Sequence, residues 1–218
     1  MLVGAVNMLL GGTPFSGKYL STSSGTSAAS FSFTMSFDPA DSTRMLVAAV
    51  MTTGSTTVTS CSIGGVSATK IVETTAAVSG HNQTASIFAA MVPTGTSGTV
   101  AVAYGGVSQQ GCAVSLYLIY GRSNTTPFGQ NSTTGTSSIT TSLSVPAGGF
   151  AIACSDVNSS SGTVTWSAGW TKDYGAVVNA QYSSSASKST PTATTQSVTA
   201  TIATSDLSPL VVASWGPN

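Results

Sequence analysis

The sequence predicts an all-β protein, an antiparallel β-sandwich of about ten to twelve short strands, and three observations carry that expectation. Phe31, Phe33, Met35 and Phe37 alternate with Ser32, Thr34 and Ser36, and this pattern recurs along most of the chain. Side chains on a strand point to opposite faces in turn, so each such run has one dry and one wet face. Turn-forming Gly and Pro clusters separate the runs, and no segment sustains a helical period.

The elements follow in order. After Phe31–Phe37 comes the polar turn Asp38-Pro39-Ala40-Asp41-Ser42. Met45–Met51 is continuously apolar, the mark of a strand covered on both faces. Thr57–Ile63 and Val66–Val72 flank Gly64-Gly65, a pair that tolerates the positive φ of a tight hairpin. Ala85–Met91 precedes Pro93-Thr94-Gly95, and Val100, Val102 and Tyr104 resume the alternation. Val114, Leu116, Leu118 and Tyr120 form one face of the next strand and Tyr117 and Ile119 the other, so this strand is expected to be central. Residues 121–138 are polar and read as an exposed loop, and the Ser/Thr-rich stretches Ser21–Ser30 and Ser183–Thr195 read as loops or edges. Leu143–Val145 leads through Pro146-Ala147-Gly148-Gly149 into Phe150–Cys154, which reads as a second hairpin. Thr163–Trp166, Ala176–Tyr182, Val198–Ile202 and Leu210–Trp215 complete the set. This succession of short strands suits a sandwich or jelly roll.

Composition narrows the function. The 218 residues are 41% hydrophobic, enough for a real core and for one domain over 16–218. Only 6% are charged, six basic and six acidic groups that cancel, against roughly 25% in an ordinary soluble domain. Such a neutral chain offers no electrostatic footprint for nucleic acid or an anionic membrane. Solubility then rests on hydroxyls or on incorporation into an assembly, and assembly is the expectation. Residues 1–15 differ from the rest and read as a first strand or an arm that docks on a neighbour. The apolar run Met1–Leu10 has no basic residue before it and is too short to cross a bilayer, so use without export is expected. Cys61, Cys112 and Cys154 sit in apolar or alternating runs and read as buried thiols acting as small hydrophobes; a disulfide is not legible from their spacing.

Catalytic chemistry needs convergent titratable groups, and the candidates here are few. His81, the single histidine, lies in the polar turn Ser79–Gln83 and reads as an ordinary loop residue. Asp38 with Asp41, or Asp156 with Asp173, could form a carboxylate pair, but the first pair reads as turn chemistry. Glu73 reads as the solvated end of a strand. With no Cys-x-x-Cys, no His pair and no acidic calcium loop, no metal or other cofactor is expected. Nor is an enzyme. One binding arrangement stands out: Trp166, Trp170 and Tyr174 beside polar loops would make a stacking platform for a sugar ring. Read the other way, both tryptophans cap the core around Ser167-Ala168-Gly169.

At Val145-Pro146-Ala147-Gly148-Gly149-Phe150, followed by Thr165-Trp166-Ser167-Ala168-Gly169-Trp170-Thr171, the chain resembles the Ser/Thr-rich β-sandwich modules of phage virion proteins and bacterial surface proteins. Met45-Leu46-Val47-Ala48-Ala49-Val50 and Ile63-Gly64-Gly65-Val66-Ser67-Ala68 fit the same order of motifs, and the resemblance spans roughly residues 30–215. It implies a jelly-roll-like sandwich with a surface or adhesive role and no catalytic residues. The expectation is a virion structural protein at the particle surface (a head decoration, a spike or fibre, or a tail-associated subunit) that contacts other virion proteins and copies of itself. The alternative is a carbohydrate-binding adhesion module using Trp166, Trp170 and Tyr174. No nucleic acid or membrane partner is expected.

Overall fold

A computed structural model describes residues 13–78, 80–204 and 206–217. Among them every regular element is a β-strand, and all pairings are antiparallel. The first half carries β1 (Ser16–Ala28), β2 (Ser30–Ser36), β3 (Met45–Gly54), β4 (Ser60–Ile63), β5 (Val66–Ser67), β6 (Thr69–Val78), β7 (His81–Met91), β8 (Ser97–Ala103) and β9 (Gln109–Tyr120). The second carries β10 (Gly129–Gly135), β11 (Ser138–Val145), β12 (Phe150–Val157), β13 (Val164–Trp166), β14 (Thr171–Val178), β15 (Gln181–Ser189), β16 (Thr194–Ile202) and β17 (Ser208–Trp215). The all-β sandwich class is as the sequence predicts, with seventeen strands in place of ten to twelve.

The first half forms sheets β1-β9-β3-β7-β6 and β2-β8-β4-β5, and the second forms β10-β17-β12-β15-β14 and β11-β16-β13. The two halves have one topology: β1 corresponds to β10, β2 to β11, β3 to β12, β4 to β13, β6 to β14, and so on to β9 and β17. Setting β6 aside, the first half has the two interleaved four-stranded sheets of a jelly roll; the second lacks only the counterpart of β5.

Pairing registers extend the match to single residues. Met45 pairs with Ile119 and Met91, as Phe150 pairs with Trp215 and Ser189, so Met45 and Phe150 are equivalent. On the same basis Gly25-Thr26-Ser27 matches Gly135-Thr136-Ser137, and Ser27 and Ser137 share a positive φ, 55° and 59°. Thr69-Lys70 matches Thr171-Lys172, each pair followed by a bulge residue, Ile71 or Asp173.

Three hydrophobic clusters stack the sheets in four layers. Phe31, Phe37, Leu46, Val50, Val102 and Leu116 join the β2 sheet to the β3 sheet. Met45, Met51, Ile87, Phe150, Ile152 and Trp215 join the β3 sheet to the β12 sheet. Ile139, Leu143, Ala153, Trp166, Trp170 and Val212 join the β12 sheet to the β11 sheet. Across the middle, β3 lies over β12, the β1 edge meets β14 and the β6 edge meets β10. Each of these contacts maps onto another of the set when the halves are exchanged. That is the geometry of a two-fold, isologous dimer written into one chain.

The local reasons are those the sequence supplies. All ten residues of β3 are buried, because the strand is central in its sheet and covered on both faces. Gly64 and Gly65 take φ values of 60° and 81°, closing the β4–β5 turn. Several expectations are corrected. Residues 121–138, read as loop, contain the edge strand β10, paired along its length with β17. Ser183–Thr195, read as loop or edge, lies largely in the interior strand β15, whereas Ser21–Ser30 lies largely in β1, an edge strand as that reading allowed. Pro146–Gly149 does turn the chain, but β11 and β12 belong to different sheets, so the connection crosses between layers and is not a hairpin. The expected docking arm falls mostly on residues 1–12, outside the described residues.

Candidate functional site

The two outermost sheets each present a row of outward hydroxyl side chains. Ser30, Ser32, Thr34 and Ser36 of β2 point outward, across from Ala103, Ala101, Thr99 and Ser97 of β8, with Ser60 and Ser62 of β4 beyond. On the opposite side of the molecule Ser138, Thr140, Ser142 and Ser144 of β11 point outward across from Thr201, Thr199, Ser197 and Thr195 of β16. Thr140 and Thr199 hydroxyls lie 3.0 Å apart. Most inward positions of these strands are apolar and buried, Phe31, Met35, Val100 and Val102 on one side and Ile139, Leu143, Val198 and Ala200 on the other, so strand alternation creates both hydroxyl rows. None of these outward residues is ionisable. A shallow groove of about 230 Å³ runs over the β2 side, lined by Ser30, Ser32, Ser60, Ser62, Ala101 and Ala103. A second depression of about 220 Å³ lies at Ser16–Lys18, Leu118 and Tyr120. Both are smaller than the roughly 300–1,000 Å³ usual for small-molecule sites.

The middle layer hides a polar seam. Seen from the equivalences above, the first half presents Met51, Ile71, Ala85, Ile87 and Ala89 to it, whereas the second presents Asp156, Asp173, Ser183, Ser185 and Ser187 at the same places. Asp156 is fully buried and accepts hydrogen bonds from Thr53 Oγ1 and Ser183 Oγ, each at 2.7 Å. Burial pushes its carboxyl up to about 7 despite those two donors. Ser185 Oγ meets Ser115 Oγ at 2.8 Å, which in turn meets Thr22 Oγ1 at 2.7 Å. Tyr117 Oη donates to Asp173 Oδ2 at 3.1 Å, and burial raises both of these groups.

The predicted site residues are scattered. Trp166 and Trp170 are each only 8% exposed, inside the cluster between the β12 and β11 sheets, where Trp166 Nε1 donates to Ser184 Oγ at 3.0 Å. Tyr174 belongs to β14 and packs against the middle cluster, on the other face of that sheet. The three rings therefore share no exposed face, and the tryptophans are core residues. Hydrophobic burial takes both indoles because the turn at Ser167–Gly169 folds Trp170 back over the sheet, its N–H bonded to Ser167 O.

His81 begins β7, and its Nε2 contacts Asn158 Oδ1 at 2.7 Å, an amide rather than a carboxylate. Asp41 accepts from the Thr43 N–H at 2.7 Å, the expected turn chemistry, and its carboxyl sits below the usual range through bonds from Thr13 and Thr43. Asp38 pairs with Lys18. Glu73, expected at a strand end, lies mid-strand in β6, bonded to Lys70 at 2.7 Å and Ser86 at 2.8 Å. Asp156 and Asp173 stand on strands separated by β15, roughly 10 Å apart on strand spacing alone, and do not form a pair. The three cysteines are free and buried, and burial raises each thiol.

Sequence reading missed the seam and Arg44. The Arg44 guanidinium is wholly buried and donates to six backbone carbonyls, those of Phe37, Asp38, Pro39, Val92, Thr94 and Gly95. Its position beside a continuous apolar strand was the available signal. Comparison with protein-family models, curated proteins and solved structures finds no match to this chain.

Proposed function

We propose that this protein is a non-enzymatic structural subunit on the exterior of a phage particle, as a head decoration, a spike or fibre component or a tail-associated subunit, acting through contacts with neighbouring subunits and other virion proteins. The observation that carries this reading is the pair of broad, uncharged hydroxyl faces on opposite sides of a four-layer slab. A face without charge meets copies of itself or of a neighbour without long-range repulsion, and two opposed faces let one subunit bridge two others. Individually weak contacts of this kind gain strength when symmetry repeats them. The jelly-roll topology occurs in viral capsid and lectin domains, which agrees with the reading by analogy of fold.

Electron microscopy of native particles carrying a tagged copy tests this directly. Density for the tag at symmetry-related positions on the exterior is the expected result. A companion test charges the faces with Thr99→Lys and Thr199→Lys together. The variant should melt like the parent yet fail to join particles; undiminished incorporation, or absence of the protein from purified particles, would overturn the reading.

A further inference from the structure

The seam between the two jelly rolls differs from an ordinary sandwich core in one respect: at five places its second side is polar, at Asp156, Asp173, Ser183, Ser185 and Ser187, where the equivalent positions on its first side are apolar. Around Asp156 the proton count can be followed atom by atom. Thr53 Oγ1 lies 2.5 Å from Gln83 Oε1 and 2.7 Å from Asp156 Oδ2, both acceptors when the carboxyl is ionised. A hydroxyl has one hydrogen, so with Gln83 Oε1 facing Thr53 an ionised Asp156 leaves one of these two close oxygen pairs with none; only turning the Gln83 amide over, so that its unpartnered Nε2 meets Thr53, would remove the conflict without a proton on Asp156. A protonated Asp156 completes the chain, with Asp156 O–H donating to Thr53 Oγ1 and Thr53 O–H donating to Gln83 Oε1. Ser183 Oγ meanwhile donates to the other carboxyl oxygen at 2.7 Å.

The surroundings supply nothing to balance a charge. Of the strands in the two central sheets, β3, β10 and β17 contain no titratable side chain. Tyr19 of β1, Tyr117 of β9, Cys154 of β12, and Asp173 and Tyr174 of β14 face the seam, and none of them is a cation. Cys112 of β9 turns to the first-half core, against Tyr104. Lys70, with Glu73 beside it, binds Val58 O, Lys172 binds Val164 O and Lys188 binds Gln196, all on the far faces of their sheets. Lys18 is paired with Asp38, and His81 is engaged by Asn158.

We propose that this joint is proton-locked: the two jelly rolls close on each other with Asp156 in its acid form, and the joint loosens when Asp156 ionises. The lock is a property of the second half's polar face meeting the first half's hydroxyls, because the bonds Thr53–Asp156, Ser115–Ser185 and Tyr117–Asp173 all cross from one half to the other. A rise in pH thus acts on the inter-half joint and leaves the two outer cores, which contain no carboxyl group, unaltered.

The test uses the full chain between pH 5 and pH 8.5. Carboxyl-carbon NMR of labelled Asp should show one resonance, assigned through bonds to Asp156, titrating close to neutrality. Amide exchange in β12 and β15, corrected for its intrinsic pH dependence, should speed up by roughly a hundredfold over that interval, since an acid shifted from 3.8 to about 7 couples opening to proton loss. Exchange in β8 and β16 should not follow. Asp156→Asn should abolish the acceleration. An Asp156 resonance titrating in the ordinary carboxylate range overturns the proposal without recourse to any variant. So does an unaccelerated seam, or an acceleration that survives in Asp156→Asn.

Discussion

Met51 and Asp156 occupy the same place in the two jelly rolls, the seventh residue of the central strand, facing the same interior. One is an apolar side chain packed in the middle cluster; the other is a carboxyl group held by Thr53 and Ser183. The contrast repeats at Ala85 and Ser183, at Ile87 and Ser185, and at Ile71 and Asp173. Two halves with one topology thus meet through chemically unlike faces, and that asymmetry gives the buried seam oxygens of Asp156, Ser183 and Ser185 their partners.

The asymmetry predicts a pH dependence of global stability. Burial raises the folded-state pKa of Asp156 above its unfolded value, from 3.8 to about 7. The folded state therefore holds the proton more tightly than the unfolded state between those limits, and stability falls as pH rises through them. The loss approaches 1.4 kcal/mol per pH unit, about 4 kcal/mol in all as an upper figure. Copying the first half into the second with Asp156→Met and Ser183→Ala should remove this slope. The double variant should be the more stable protein at pH 8.5, by about 1–4 kcal/mol. Urea denaturation at pH 5 and pH 8.5 measures both outcomes; a parent protein equally stable at the two values refutes the prediction.

Arg44 should be the most sensitive single residue of the first half. Its guanidinium gathers carbonyls from the Asp38 turn and the Val92–Gly95 turn, tying the loop before β3 to the loop after β7. Removing it leaves several buried carbonyls without donors, a loss on the order of 3–5 kcal/mol. Arg44→Lys should restore little, because an ammonium has three donors in place of a planar fork of five. Equilibrium unfolding of Arg44→Ala and Arg44→Lys, compared with the parent, decides the point.

How far the sequence could be read depended on where each strand keeps its polar atoms. β2 and β3 were legible because Phe31–Phe37 alternates and Met45–Met51 is unbroken, the two patterns that burial on one face or both produces. Ser183–Ser187 was not, since hydropathy scores serine as exposed, whereas its four serines are buried and bonded, Ser183 to Asp156, Ser184 to Tyr174 O and Trp166, Ser185 to Ser115 and Ser187 to Asp173. Pro146–Gly149 announced a turn correctly, but turn residues carry no information on which sheet the next strand joins. The shared topology is matched in sequence by short stretches such as Gly-Thr-Ser at 25–27 and 135–137 and Thr-Lys at 69–70 and 171–172, which strand pairing brings into register. A Trp-rich turn reads alike as platform or core, and only packing separates the two.

Trp170→Ala should therefore unfold rather than disarm. The indole fills space between the β12 and β11 sheets, and its removal should cost about 3–5 kcal/mol. Trp166→Ala should fall in the same range and also strip Ser184 Oγ of a donor. Thermal melts of both variants should shift strongly downward; a variant that melts like the parent would return the tryptophans to the surface.

Two glycines should fail for opposite reasons when replaced by alanine. At Gly17 a new Cβ would stand 2.3–2.7 Å from three atoms of Phe150, closer than any real contact. Phe150 is buried in the middle cluster and packs near the Tyr117 ring, at 6.3 Å between centroids, so it has little room to retreat. Gly17→Ala should cost about 1–3 kcal/mol through overpacking, with a change in the near-UV aromatic signal as Phe150 and Tyr117 shift. At Gly65 a Cβ would meet open space, yet φ is +81° in the β4–β5 turn. Gly65→Ala should cost about 1 kcal/mol through backbone strain alone, leaving the aromatic signal unchanged. Unfolding midpoints and near-UV dichroism on the two variants separate the mechanisms, and an altered aromatic signal in Gly65→Ala would contradict the assignment of its cost to the turn.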